Sequence, residues 1–191
     1  MAPSVRSAPL HASLAPHPAT APNPAIRRIS ACLARGEGTL SVRYTLEGAL
    51  EGVRIPALFP HPAIGHDLWR STCFELFVLG AGGAYREFNF SPSGAWAIYD
   101  FAAYRQGAQV RDASLAPRLE LRREAGVLEL RVTVADENLM QAGQAGVRLA
   151  LSAVVEGADG GFSYWALCHP AATPDFHHPQ SFALALDEVR H

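Results

Sequence analysis

The chain has 191 residues, enough for one core and too few for two full domains, and with 49% hydrophobic and 18% charged residues it lies outside the disordered class. Its 16 basic residues, all arginine, and 18 acidic ones give a formal net charge of -2, which provides no basic footprint for nucleic acid or for an anionic membrane surface. No apolar run reaches the length of a membrane span, and no lysine is available for Schiff-base chemistry.

From Met1 to about residue 24 the chain is rich in proline (Pro9, Pro16, Pro18, Pro22, Pro24), which removes ladder donors and forbids helix. Residues 1–24 therefore read as an extended arm and 25–191 as the domain, so that deleting Met1 to about Pro16 is expected to leave the fold intact. No apolar run of signal-peptide type follows Arg6. Cys32, Cys73 and Cys168 are odd in number, widely spaced and without a CxxC pair, so they read as free thiols in a reducing compartment. The expected location is the cytoplasm.

After the arm the pattern has period two. Leu40, Val42, Tyr44 and Leu46 alternate with Thr39, Ser41, Arg43 and Thr45, the pattern of a strand with one wet face. Leu128, Leu130, Val132 and Val134 repeat it, as do Val147, Leu149, Leu151, Ala153 and Val155. Further strands are predicted near 26–33, 73–79, 85–91, 96–101, 118–122, 162–167 and 181–186, separated by glycine-rich or proline-containing turns. Only 136–144 reads as helical. The expected fold is all-β: a two-sheet antiparallel β-sandwich, jelly-roll-like, of about nine or ten strands with at most one short helix. Leu130, Val132, Leu149, Leu151, Phe88 and Leu184 are expected in its core.

The alternation breaks between Asp67 and Arg105. Phe74, Leu76 and Val78 can face the core, yet Cys73 and Phe77 on the opposite face flank a carboxylate, Glu75, so that face reads as covered or concave. Glu87, Asn89 and Ser91 lie opposite Phe88 and Phe90, and Tyr99 and Phe101 opposite Trp96, Ile98 and Asp100. Rings mixed with polar groups on one sheet face compose a ligand site. Glu75 would be costly to bury unpaired, so it either meets Arg86 or Arg105 or faces a ligand.

These residues, Leu68-Trp69, Thr72 to Phe77, Tyr85, Glu87 to Gly94, Trp96-Ala97 and Tyr104-Arg105, followed by Ser163 to Leu167, His169-Pro170 and Pro174 to His177, resemble the DOMON-like superfamily, whose relatives include the family 9 carbohydrate-binding modules. The resemblance implies a β-sandwich with a ligand site on one face or rim. In the carbohydrate-binding relatives two tryptophans sandwich a sugar ring, and the corresponding residues here are Trp69, with Glu75 six residues later, and Trp165. Glu87, Asn89 and Arg105 form a second tier. Where those relatives carry an amide three residues before the second tryptophan, this chain has Phe162.

The resulting expectation is a non-catalytic module for a small ligand, a sugar or sugar-like molecule, with no cofactor and no metal. The alternatives are a protein-interaction module using the same aromatic face, a haem-binding domain, or a glycoside enzyme using Glu75 and Glu87 as acid and base. Asp175, His177 and His178 have metal-ligand chemistry, but adjacent residues of an extended segment point apart, which favours a structural or capping role.

Overall fold

A computed structural model describes residues 8–139 and 147–186 of the chain. Among these residues there are thirteen strands: β1 (Leu10–Pro16), β2 (Ile26–Gly36), β3 (Thr39–Gly48), β4 (Ala63–Ile64), β5 (Cys73–Leu79), β6 (Tyr85–Phe90), β7 (Ala95–Ala103), β8 (Gln106–Val110), β9 (Arg118–Glu124), β10 (Val127–Ala135), β11 (Val147–Glu156), β12 (Phe162–Ala166) and β13 (Leu184–Leu186). The helical pieces are single 3₁₀ turns of three residues. No helix among the described residues is long and apolar enough to cross a membrane. The helix expected over 136–144 is reduced to a 3₁₀ turn at Asp136–Asn138; residues 140–146 lie outside the described residues.

The all-β class is as expected, but the strands number more than nine or ten and form one hydrogen-bonded path, β4-β7-β6-β5-β11-β12-β1-β2-β3-β10-β9, with β8 on β7 and β13 on β11. The link is β1, within the segment that the prolines suggested was an arm. It pairs antiparallel with β2 from Leu10↔Leu33 to Leu14↔Ile29, then changes partner and pairs with β12 at Ala15↔Ala166 and Pro16↔Trp165. The reading of residues 1–24 as an arm outside the domain therefore fails for Leu10–Pro16. Between Pro9 and Pro16 every residue keeps its N–H, which suffices for a short strand.

The continuous sheet curls, and the inner faces of its two halves meet in one core. Leu33, Leu40, Val42, Tyr44, Leu128, Leu130 and Val132 from the β2-β3-β10 half pack in one cluster with Phe74, Leu76, Phe88, Phe90, Ile98, Leu149 and Leu151 from the other. This is the apolar set that the period-two pattern selects, since a strand with one dry face must turn alternate residues inward. Of the six expected core residues five are buried and Leu184 is half-buried. Tyr44 ties the halves together: its ring lies 5.1 Å from that of Phe74, and its hydroxyl donates to the carbonyl oxygen of Glu75 at 2.8 Å. All three cysteines are free.

The outer face of the β5-β6-β11 region is also dry. Phe77, Tyr85, Ala150 and Phe182 form a second small core, with Leu79, Phe101 and Phe176 packed at its edge. The segment between β12 and β13 folds back over this face, bringing Phe176 and Phe182 onto it. That cover explains why the alternation fails along β5: both of its faces are buried, so both sides carry apolar residues.

A candidate ligand cavity

The register of β5, β6, β7 and β11 fixes which side chains meet on the covered face. Glu75 stands opposite Asn89 on β6 and Ser152 on β11, while Glu87 stands opposite Phe77 on β5 and Tyr99 on β7. Since side chains two residues apart share a face, Glu75, Glu87, Tyr99 and Phe101 project together, away from the main core. With Val154 on β11 and Tyr164 on β12 they floor a cavity of about 370 Å³. Trp69, in the 3₁₀ turn Leu68–Arg70, and Arg105, in the β7–β8 turn, stand at its rim, and the fold-back segment supplies Pro174, Phe176 and His177.

Glu75 and Glu87 are the unusual members, because each is almost fully buried: 2% and 5% exposed. Glu75 accepts a hydrogen bond from the Ser152 hydroxyl through Oε2 at 2.8 Å, and Glu87 accepts one from the Asn89 amide through Oε1 at 2.6 Å. Neither meets an arginine. Arg86 forms a two-pronged pair with Asp100, both contacts at 2.6 Å, and Arg105 pairs with Asp175 at 2.9 Å, so of the two alternatives for Glu75 the arginine partner is not the one formed. Burial, the neighbouring Glu87 charge and, in the opposite sense, the Ser152 bond leave the Glu75 carboxyl well above the usual carboxylate range. Glu87 is raised as well, by burial, against the pull of Asn89 and Arg105.

His177 is held from two sides. The Tyr85 hydroxyl accepts from the Arg105 backbone N–H at 3.0 Å and shares a hydrogen bond with His177 Nδ1 at 2.8 Å, while Nε2 of the ring faces Glu87 Oε2 at 3.7 Å. Burial and the Arg105 charge push the imidazole down to about 4, against the attraction of Asp175, so the ring is neutral at physiological pH. Arg105 itself has a backbone φ of 55°, in the left-handed region, and its turn is fixed by the Tyr85 bond and by the contact of Tyr104 with Asp175 at 2.7 Å.

Four of the six residues proposed from sequence, Trp69, Glu75, Glu87 and Arg105, line this cavity. Asn89 does not; it is fully buried beneath it, bonded to Glu87 and accepting from the Cys73 thiol at 3.5 Å. Trp165 is misplaced altogether. It pairs with Ala153, points into the main core and donates from Nε1 to the Ser163 hydroxyl at 3.1 Å. Trp69 and Trp165 thus lie on opposite faces of the sheet, and no clamp of two tryptophans exists. The residue on the cavity face is its neighbour Tyr164, opposite Val154.

Sequence reasoning also passed over Phe176 and His177, which reach the cavity through a loop that no strand pattern places. The Asp175, His177 and His178 group is divided as its geometry requires: Asp175 holds Arg105, His177 faces the cavity, and His178 caps the turn Pro179–Ser181 by accepting from the Gln180 N–H at 3.2 Å.

A pH dependence follows. The folded state retains protons on Glu75 and Glu87 that the unfolded chain releases above the ordinary carboxylate range, so stability falls as pH rises through the folded values. His177 works oppositely, but only between about 4 and its ordinary value near 6.5, where the unfolded imidazole binds a proton that the folded one refuses. From about pH 6.5 to 8 the carboxyl pair acts alone. The melting temperature is expected to fall across that interval, with up to about 1.4 kcal/mol lost per pH unit for each proton released. Glu75→Gln should flatten the decline; a flat wild-type profile would rule out proton retention by the pair.

No family model matches this chain, and no curated protein matches it. Among solved structures, a candidate carbohydrate-binding protein from Bacteroides uniformis is similar over 90% of this chain and 83% of its own length, with a TM-score of 0.61 and 17% identity, a likeness of fold alone. A family 9 carbohydrate-binding module from Caldicellulosiruptor kristjanssonii, solved with glucose and with cellotriose, is more distant. Each of its structures has a TM-score of 0.44 and 9% identity over 81% of this chain, covering 70% of the glucose complex and 69% of the cellotriose complex, too remote to carry an argument.

Proposed function

We propose that the chain is a DOMON-like module that binds a small, sugar-sized ligand in the cavity between β5, β6, β7, β11, β12 and the fold-back segment. The observation that carries this reading is the composition of the cavity. Aromatic groups (Trp69, Tyr99, Phe101, Tyr164, Phe176) surround two buried carboxyl groups in about 370 Å³, within the size range of small-molecule sites. Rings offer flat apolar area to the C–H faces of a pyranose, while carboxyl oxygens accept from its hydroxyls. The Bacteroides uniformis protein of the same fold carries the same class of assignment. A flat face for a protein partner is a poorer description of groups that converge on a depression. The three free thiols fit a reducing compartment.

Burial of two aromatic faces contributes roughly 3 to 6 kcal/mol and a hydrogen bond to a charged group about 1.5 to 3. Association costs at least about 4 kcal/mol. The net is at most about 5 kcal/mol, which is weak binding, with Kd of roughly 0.2 mM or weaker. Titration calorimetry with glucose, galactose and their 2-amino counterparts is expected to show saturable binding in that range, weakened at least about tenfold by Tyr164→Ala and by Trp69→Ala. If none of the four sugars binds, or if binding is indifferent to both substitutions, this reading is wrong.

A further inference from the structure

We infer that the ligand of this cavity carries a protonated amine, so that among sugar-sized molecules the site selects amino sugars over neutral ones. The inference rests on the ligand-binding reading above and deepens it. It begins from two oxygen atoms. Glu75 has one oxygen bonded to Ser152 and Glu87 one bonded to Asn89, and the second oxygen of each carboxyl has no hydrogen-bond partner among the described residues. Both side chains are more than nine-tenths buried and both line the cavity. A neutral hydroxyl can satisfy either oxygen, but only a cation can offset the charge.

The charges around the pair leave a negative excess. From β5 and β6 come the two carboxyls, with the Cys73 thiol and the Tyr85 phenol beside them, neither ionised at neutral pH. From β7 comes the un-ionised Tyr99 phenol, and from the fold-back segment the neutral His177 ring and the Asp175 carboxylate. The cation at the rim, Arg105, is matched by Asp175 at 2.9 Å, and Arg70 lies over the Trp69 ring at 4.9 Å with Asp67 at 3.5 Å from its guanidinium. Each arginine is thus balanced by its own aspartate. Glu75 and Glu87 together have no cation of their own, since the nearest basic group, His177 Nε2 at 3.7 Å from Glu87, belongs to a ring kept neutral.

Burial without a cation favours protons on the carboxyls. An ammonium group entering between them relieves the excess directly. It donates up to three hydrogen bonds to the two unpaired oxygens and their neighbours, and its charge allows the pair to ionise. The rings complete the match, because the electron-rich faces of tyrosine, phenylalanine and tryptophan attract an organic cation. Entry of the amine must then expel a proton from the carboxyl pair to solvent, which a neutral sugar does not do.

Calorimetry at pH 6.5 with glucosamine, galactosamine, glucose and galactose, repeated in buffers of different ionisation enthalpy, separates the possibilities. The expected result is that the better amino sugar binds at least about tenfold more tightly than its neutral counterpart, with a buffer-dependent enthalpy that reports proton release. Glu75→Gln and Glu87→Gln should each reduce the preference for the amino sugar severalfold and diminish the proton release that accompanies its binding. If those variants fail to fold, the wild-type buffer dependence alone decides. Neutral sugars that bind as tightly as the amino sugars, or amino-sugar binding without proton release, would overturn the inference and leave the sugar-binding reading standing. Failure of all four sugars would overturn both.

Discussion

Removal of residues 1–16 is expected to abolish the cooperative thermal transition rather than to trim an idle arm. The deletion takes out β1, and with it the only strand that joins β2 to β12 in the path through the described residues. Five paired positions on β2 and two on β12 lose their partners. Leu14 leaves the core, a loss of about 1.5 to 3 kcal/mol by itself. Two strand edges that were interior become open to water or to other chains. Against a total stability of about 5 to 15 kcal/mol the sum is decisive. Circular dichroism on heating should show a broad, shallow change or early aggregation. A truncated protein melting within about 5 °C of the full chain would show that β1 is dispensable. Leu14→Asp, which keeps the ladder and damages only the packing, should fall between the two.

Trp165→Ala and Trp69→Ala are expected to fail in opposite ways. Trp165 is 6% exposed and packs in the main core, so its truncation leaves a cavity and should cost about 3 to 5 kcal/mol. It also frees the Ser163 hydroxyl that accepts its indole proton. Trp69 is 45% exposed, and its removal should change stability by about 1 kcal/mol or less while impairing ligand binding. Urea unfolding paired with calorimetric titration resolves the two effects. If Trp165→Ala kept wild-type stability and lost binding, the assignment of its side chain to the core would be wrong.

That contrast also shows where sequence reasoning succeeds. Strands with one wet face were legible because alternation is a local signal, and Leu130, Val132, Leu149 and Leu151 are buried as their neighbours require. The break at Glu75 pointed to a covered face, on which Glu87 also lies, whereas Trp69 was reached through the family resemblance and Arg105 as a candidate partner for Glu75. Trp165 was misassigned because adjacent residues of a strand point to opposite faces of a sheet, and a resemblance in residue types does not say which face a residue takes. Its neighbour Tyr164 lines the cavity instead. His177 and Phe176 were illegible as cavity residues because a long return segment brings them there, and β1 was hidden because the prolines at its ends outweighed the few residues between them.

The position of β1 bears on how the chain is made. It is synthesised just before β2, its first partner, which follows at once. Its second partner, β12, is synthesised only after every strand from β2 to β11. Through most of translation the nascent chain therefore presents an unfinished edge at β1, and non-local pairing of this kind is slow to complete. The prolines limit the exposure. Pro9, just before the strand, and Pro16, at its end, cannot donate to an intruding chain, so the edge that waits for β12 is only a few residues long. The residues that disguise β1 in the sequence are thus the ones that guard it during synthesis.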